Sequence, residues 1–368
     1  MINTKYTNEF ECISQYYIQI LKNIIRDKVW KSNYKFTKSE KTFEHLVPGL
    51  KIANRDKYDS SNTPAIQVLD KNIDTSKFPR PVLESLNNIF IPISITEWIL
   101  TQVNTHNTYS YTSPYETLNI NILSSNSSSV TLEFLDDVLC VIFWIKKLYE
   151  DFPTSSQTLN LHIFLCDESK ELKGKVVNRS HVNSGTSCTE CNWIQVFRTE
   201  DLFKVLIHEI IHYYSYDFGT VQFSTKVKLN NKSIPVLVNE AYVECIALYF
   251  YEIFYSVKFN KVFLEVLEQD LYFSRIQLCK MYKGLSTQKY SDLLDFRDVI
   301  QRTNAYSYYV LRFVFQIYSS WIVLNICNLS TQESVLKFII SKMDEIKVMG
   351  VNTDDLKIKT SKFDYFLR

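Results

Sequence analysis

Phe197 to Gly219 reads FRTEDLFKVLIHEIIHYYSYDFG, and the rest of the chain can be interpreted outward from this stretch. It contains His208-Glu209-Ile210-Ile211-His212, an H-E-x-x-H motif. Residues four apart lie on one face of a helix, so His208 and His212 can both offer an imidazole to one zinc ion. Glu209 is one position further round the helix, where it can accept a proton from a water molecule that the metal activates.

The residues around the motif predict a buried helix. Thr199 is a residue type that commonly caps helices, and Glu200 and Asp201 are expected in the first turn, where the helix dipole favours negative charge. Apolar residues then occupy most sides of the segment, as burial requires. They are Leu202, Val205, Leu206, Ile207, Ile210 and Ile211. The alternative is a core helix whose two histidines only make hydrogen bonds.

Composition narrows the choice of partners and compartment. The chain has 368 residues, is 46% hydrophobic and carries a formal net charge of +1, so nothing favours nucleic acid or a membrane surface as its partner. The N-terminal MINTKYTNEFECISQ lacks the features of a signal peptide, which predicts an intracellular, cytoplasmic protein. Ala305 to Cys327 comes nearest to a membrane span, but Arg312 and Gln316 within it favour a buried helix.

The cysteines fit the same interpretation. Eight cysteines without a signal peptide predict free thiols in a reducing compartment. Cys188 and Cys191 form the only C-x-x-C pair. Because a structural zinc site usually needs four ligands, we expect a loop with two thiols here, with a disulfide or a second metal site as the alternatives.

The predicted elements give an α+β fold. Helical periodicity predicts helices over residues 9–30, around Ile95 to Val103, and over Thr131 to Tyr149. Alternating hydrophobicity predicts strands at Leu159 to Cys166 and Trp193 to Phe197.

Helices dominate the prediction behind the motif. Residues 217–234 are expected to form a loop or a hairpin, and Pro235 is expected in the first turn of a helix that runs to about Tyr255. Further helices are predicted over residues 259–283, 290–300, 304–327 and 331–347.

Three regions follow from the breaks in these patterns. Ser124 to Ser129 is rich in Ser and Asn, which predicts the main boundary at this point. The regions are residues 1–125, mostly helical and of unknown role; residues 126–351, which contain the motif; and a polar tail, residues 352–368.

The third metal ligand has to come from outside the motif, because a catalytic zinc usually has three protein ligands and one open position. The metzincin pattern fails, since Ser215 and Phe218 stand where it needs Gly and His. Asp217 lies nearby, but its offset matches no known ligand spacing. A second helix at VNEAYVE, residues 238–244, offers two carboxylates, Glu240 and Glu244.

Asn239-Glu240-Ala241-Tyr242 resembles the second helix of the gluzincin metallopeptidases, which carries Asn-Glu followed by a small residue and an aromatic one. The resemblance implies that Glu240 is the third ligand. By the same analogy, Glu244 accepts a hydrogen bond from a ligand imidazole N–H. The interval between His212 and Glu240 is longer than in the common aminopeptidase branch of that family.

A wider stretch, His181 to Gly219, resembles a group of predicted zinc metallopeptidases encoded by large DNA viruses. The matching segments are Val182 to Thr186 (VNSGT), Ile194 to Arg198 (IQVFR), Glu200 to Glu209 (EDLFKVLIHE), Asp217-Phe218 and Thr303 to Leu311 (TNAYSYYVL). The resemblance covers roughly residues 130 to 320. It implies a zincin-like core with a small mixed sheet, the H-E-x-x-H helix and a helical C-terminal half. It also implies that residues 126–351 form the catalytic domain and that the protein acts in the virion or the infected-cell cytoplasm.

Peptide hydrolysis is the activity that these resemblances imply, with a peptide or protein as substrate. Trp193 to Arg198 precedes the metal helix, as the substrate-binding edge strand does in zincins, and an extended peptide could pair with it. Asn183 and Gly185 would then border the cleft.

The developing oxyanion needs a donor besides zinc. Arg302, Tyr306 and Tyr309 would share one face of a helix. Tyr306 or Tyr309 is expected to be that donor, and Arg302 a contact to substrate or a carboxylate. The alternative is that this Tyr-rich helix belongs to the core.

Two other classes of function stay open. A zincin-fold virion or host-interaction protein could keep zinc for structure alone, although the presence of Glu209 favours an enzyme. A different zinc hydrolase, such as a deamidase or an esterase, would use the same activated water.

Overall fold

The structure is a computed structural model of the chain. It describes residues 7–27, 36–42, 78–112, 116–125, 130–149, 157–170, 176–177, 182–217, 224–229, 232–284, 300–301 and 311–318. These residues form an α+β fold with helices on both faces of a six-stranded mixed sheet.

The helices lie both between the strands and after them. They are α1 (Thr7–Asp27), α2 (Arg80–Asn87), α3 (Ile93–Thr101), α4 (Leu132–Leu148), α5 (Leu202–Tyr213), α6 (Val238–Lys258), α7 (Phe263–Gly284) and α8 (Arg312–Ile317). Predicted helices therefore correspond to α1, α3, α4 and α7, with ends that differ by a few residues. The helix predicted over residues 331–347 lies outside the described residues.

The strands form one large and two small sheets. They are β1 (Phe36–Thr42), β2 (Thr105–Thr112), β3 (Glu116–Ser124), β4 (Gln157–Leu165), β5 (Val176–Val177), β6 (Gly185–Cys188), β7 (Trp193–Val196), β8 (Ser224–Leu229), β9 (Lys232–Leu237) and β10 (Ile300–Gln301). The large sheet has the order β1-β2-β3-β4-β7-β6. β3, β4 and β7 run parallel, and the other neighbours pair antiparallel. β8 pairs with β9, and β5 with β10.

The two faces of the sheet pack against different helices. Leu161 and Ile163 of β4 join the larger core with α1, α4, α5 and α6. Phe164, which alternates with them, joins a smaller core with α2 and α3. The sheet thus carries α5 on one face, with β7 leading directly into its start.

The sheet continues across the boundary predicted at residues 124–129. β3 lies before that boundary and pairs in parallel with β4, which lies after it. The described part of residues 1–125 contains the helices α1, α2 and α3 and also the strands β1, β2 and β3. In β3, polar Asn119 and Asn121 alternate with buried Leu118, Ile120 and Ile122, which is the period-two pattern of a strand with one face in the core.

Helix α5 begins later than its sequence predicts. Asp201 precedes it with a left-handed φ of 60°, and its carbonyl accepts the first helical hydrogen bond from Val205. Thr199 is therefore not the cap; its hydroxyl donates a hydrogen bond to the carbonyl of Cys166 instead.

Asp201 is buried, with its carboxylate 3.4 Å from Nζ of Lys170. Burial lowers the pKa of Lys170 to about 8 despite this partner.

Three further predictions concern the chain after α5, and the structure tests each of them. The hairpin alternative for residues 217–234 is confirmed by β8 and β9. Pro235 was expected in a helix but lies in β9, and α6 begins at Val238. Ile300 was expected to end a helix but lies in β10. Within the described part of the chain, no helix is both long enough and apolar enough to cross a membrane.

Candidate metal centre

Two packed helices bring three potential metal ligands together. α5 carries His208 and His212, and the first turn of α6 carries Glu240. The two Nε2 atoms lie 3.1 Å apart, and Oε2 of Glu240 lies 3.5 Å from that of His208 and 3.6 Å from that of His212. Tetrahedral ligands at about 2.0–2.1 Å from an ion are about 3.3–3.4 Å apart. The three atoms thus fit one metal ion, and they form the metal-capable cluster of the described residues.

The three ligands shift one another's pKa values. Burial opposes ionisation of Glu240, but contacts with both histidines outweigh it and hold its pKa below the ordinary value. Burial likewise acts to lower the pKa of His208 and of His212, yet their carboxylate partners raise both values. The cluster therefore favours an ionised carboxylate, the charge state in which an oxygen ligand binds a cation, and the raised pKa values of the histidines mean that a metal would displace their protons on binding.

The second nitrogen of His208 faces a carboxylate that is itself paired. Nδ1 lies 3.1 Å from Oε2 of Glu244. Oε1 of Glu244 lies 2.5 Å from Nζ of Lys204 and 3.4 Å from a guanidinium nitrogen of Arg312. These contacts hold the imidazole with Nε2 towards Glu240.

The second nitrogen of His212 faces Asp217. Nδ1 lies 2.9 Å from Oδ2 of Asp217, which also accepts a hydrogen bond of 3.0 Å from Nδ2 of Asn239. Asp217 was not expected to be a metal ligand. In the structure its carboxylate is hydrogen-bonded instead to Nδ1 of His212, a candidate ligand. It thereby links the end of α5 to the start of α6.

Sequence reasoning missed Asp217, Lys204 and Arg312. A signal exists for Lys204, because it stands four residues before His208 and so lies on the same face of α5. Asp217 and Arg312 carry no comparable signal, since a loop and a distant helix bring them to the site.

Glu209 is buried beside the cluster and takes no part in it. Its Oε2 accepts a hydrogen bond of 2.9 Å from the hydroxyl of Ser187 on β6. Burial raises its pKa, and the nearby histidines and Ser187 act in the opposite direction. A carboxylate with a raised pKa next to a metal site is suited to accept and return a proton.

Among the strands that the structure describes, β6 and not β7 lies at this end of the sheet. β7 pairs with β4 on one side and β6 on the other, so it has no edge for a peptide to join. The proposal of Trp193 to Arg198 as edge strand is therefore wrong. β6 begins at Gly185, and Asn183 precedes it with its carbonyl bonded to Arg198. The two residues predicted to border the cleft thus lie at the start of the true edge strand.

Arg302, Tyr306 and Tyr309 lie outside the described residues, and their roles remain predictions. The described chain resumes at Leu311, and Arg312 is the first residue of α8.

Cys188, the last residue of β6, forms a disulfide with Cys191 in the turn that follows, so the prediction of a loop with two thiols is wrong. The hairpin places their Cα atoms 5.2 Å apart, within the range that a disulfide spans. Free cysteines among the described residues are Cys12, Cys140, Cys166 and Cys245.

Comparisons with known proteins find no matching family model and no match among curated proteins.

Proposed function

We propose that the protein is a zinc-dependent metallopeptidase with a zincin-like core. His208, His212 and Glu240 would hold the zinc. Two imidazoles and one carboxylate are a typical ligand set of catalytic zinc, and three protein ligands leave a fourth position for water or substrate. Imidazole ligands favour zinc over calcium or magnesium, which prefer sites made of oxygen atoms alone.

Glu209 would be the general base. The zinc, when bound, supplies a Lewis acid that polarises a carbonyl group and acidifies a water molecule. Glu209 accepts the proton that the water loses and passes it to the departing amine, as a carboxylate of raised pKa can do near neutral pH. Its side chain is free for this role because it contacts Ser187 and not the donor atoms of the cluster.

A peptide is the substrate that the sheet favours. β6 has a single neighbour, β7, among the strands that the structure describes, so its outer edge offers backbone groups to an extended chain. The same strand contacts Glu209, which would bring a bound peptide beside the base. The resemblance to gluzincins and to the viral group also favours peptide hydrolysis. Asn183 and Gly185 would border the bound peptide. Either Tyr306 or Tyr309 would donate to the developing oxyanion, and Arg302 would contact the substrate or a carboxylate.

The observation that carries the proposal is the triangle of donor atoms 3.1 to 3.6 Å apart, with Glu209 next to it and outside the set of donor atoms. A core helix with two satisfied histidines does not require a third ligand from another helix at that spacing.

Zinc content and peptide cleavage of wild type and Glu209→Gln test the proposal together. We expect about one zinc per chain in both proteins. Cleavage of a peptide library should fall about 10²- to 10⁴-fold in the variant, since a general base contributes that much. Zinc without cleavage by wild type would instead indicate a structural zinc or another hydrolase. Undiminished cleavage by the variant would refute the role of Glu209.

A further inference from the structure

The edge strand lies along one face of the metal helix in matched register. Every second residue of β6 and its turn contacts every fourth residue of α5. Two residues of a strand advance about 6.6–6.8 Å, and four residues of a helix advance about 6.0 Å. Successive contacts along the two elements can therefore repeat at nearly the same spacing. They pair Gly185 with Val205, Ser187 with Glu209, and Thr189 with Tyr213.

Glu209 lies at the middle of this contact and is held from two sides. The hydroxyl of Ser187 donates to Oε2 at 2.9 Å. A Cβ at Gly185 would be 2.8 Å from Oε1 and 2.9 Å from Cγ of Glu209. Only a residue without a side chain lets the strand come this close, so Gly185 has a packing role in addition to the predicted border of the cleft.

The two ends of the strand are also fixed. The hydroxyl of Thr189 donates to the carbonyl of Tyr213 at 2.9 Å, at the C-terminal end of α5. At the other end the amide of Phe197 donates to the carbonyl of Ser184 at 2.9 Å. The strand thus cannot slide along the helix without breaking contacts at several points.

We propose that Ser187 is a positioning residue, which fixes the carboxylate of Glu209 relative to the strand that receives the peptide. This inference rests on the proposed function. Because one four-residue strand both offers the peptide-binding edge and holds the base, the distance between base and scissile bond is set by a single element. Loss of the hydroxyl frees the carboxylate to rotate while leaving the metal ligands and the strand edge unchanged.

The proposal predicts a specific kinetic signature for Ser187→Ala. On a peptide that wild type cleaves, kcat should fall about 10- to 100-fold because the base is misplaced. KM should stay within about twofold, because the peptide edge is intact. Ser187→Thr keeps a hydroxyl and suits a strand, so it should recover most of kcat. Ser85→Ala is the control: it removes a buried serine hydroxyl, bonded to the carbonyl of Pro81 on α2 and distant in sequence from Glu209, and should leave kcat unchanged.

A kcat of Ser187→Ala within about twofold of wild type would overturn the proposal, and so would a threonine variant no better than alanine. Equal loss in Ser85→Ala would show that the effect is one of stability, and would also overturn it. Zinc content and thermal unfolding of each variant verify that a folded, metal-loaded protein is compared.

A readout without turnover separates this proposal from the proposed function. Crystal structures of wild type and Ser187→Ala should show Glu209 in one rotamer in wild type and displaced or in several rotamers in the variant. If wild type cleaves no peptide, the proposed function fails, but a displaced Glu209 would still support its positioning by Ser187. An unchanged Glu209 rotamer would refute the positioning role whatever the activity.

Discussion

Two glutamates on α6, two turns of helix apart, are both buried and have opposite pKa shifts. Glu244 is 3% exposed, and its pKa lies well below the ordinary value. Burial opposes its ionisation, but Lys204, His208 and Arg312 outweigh it. Glu252 is 1% exposed, and its pKa lies well above the ordinary value, because burial and the neighbouring carboxylate of Asp270 act in the same direction.

The difference shows that burial alone does not decide the charge of a carboxylate in this protein. Burial favours the neutral form at both positions, and only the partners differ. For Glu244 those partners come from α5 and α8, and they favour its ionised form behind His208. Glu252 has no such cations beside it strong enough to offset burial and Asp270, so its neutral form is favoured.

Removal of Glu244 should have the largest effect. Glu244→Ala leaves Lys204 and Arg312 buried without their carboxylate, which costs about 3–5 kcal/mol of unfolding free energy. It also removes the acceptor behind His208, so zinc affinity should fall about 10- to 100-fold. Urea unfolding and competition with a chelator measure the two effects. A stability loss below about 1 kcal/mol would mean that the pairing does not matter.

Asp217 should matter for the metal more than for the fold. Asp217→Ala removes the acceptor behind His212, and we expect zinc affinity to fall about tenfold. Asn239→Ala provides the control, because it removes the donor to Asp217 and leaves the contact with His212 in place. If both variants lose the same affinity, the role of Asp217 lies in joining the two helices and not in orienting the imidazole.

The raised pKa of Glu252 can be tested by measuring how the free energy of unfolding depends on pH. Its folded-state pKa is raised, so its favourable contribution is fully present below the unfolded-state pKa and is lost as pH rises towards the folded-state value. Glu252→Gln removes this titration. The variant should gain stability over wild type as pH rises from 5 to 8, by at most about 1.4 kcal/mol per pH unit. Parallel curves of unfolding free energy against pH would contradict the raised pKa.

An exposed pair should show the smallest effect. Glu133 lies 2.8 Å from Lys258, but its side chain is 72% exposed. Water screens such a pair, so Glu133→Ala should change the unfolding free energy by less than about 1 kcal/mol. A thermal melt in low and high salt checks this. A larger loss would show that distance, and not burial with partners, governs these ion pairs.

Local chemistry made much of the candidate site predictable. The spacing of His208 and His212 within an apolar segment predicts two metal ligands on one helix without reference to any other element. The pattern around Glu240 indicated a second helix with the third ligand. Glu244 was expected behind a ligand from the gluzincin analogy, but Asp217 and Arg312 were not predictable, because they reach the site only through the tertiary fold. The opposite pKa shifts of Glu244 and Glu252 were not predictable either, because their partners lie on other elements.

The fold, like the site, was predictable from the sequence only in part. β4 was recognised from the alternation of apolar Leu159, Leu161 and Ile163 with polar residues. β3 has the same alternation and was missed, because it runs into the Ser- and Asn-rich stretch that was interpreted as a break, and β2 was missed because it is polar and aromatic throughout. The identity of the edge strand depends on which strands pair, and the four residues of β6 carry no periodicity long enough to reveal it.

X-ray absorption at the zinc edge of the purified protein tests the central claim most directly. We predict one zinc per chain with two imidazole nitrogens and oxygen donors at about 2.0–2.2 Å, and no sulfur. The imidazole signal should disappear in a His208→Ala, His212→Ala double variant. Protein that binds no zinc, or a sulfur donor at about 2.3 Å, would contradict the proposed ligand set of His208, His212 and Glu240.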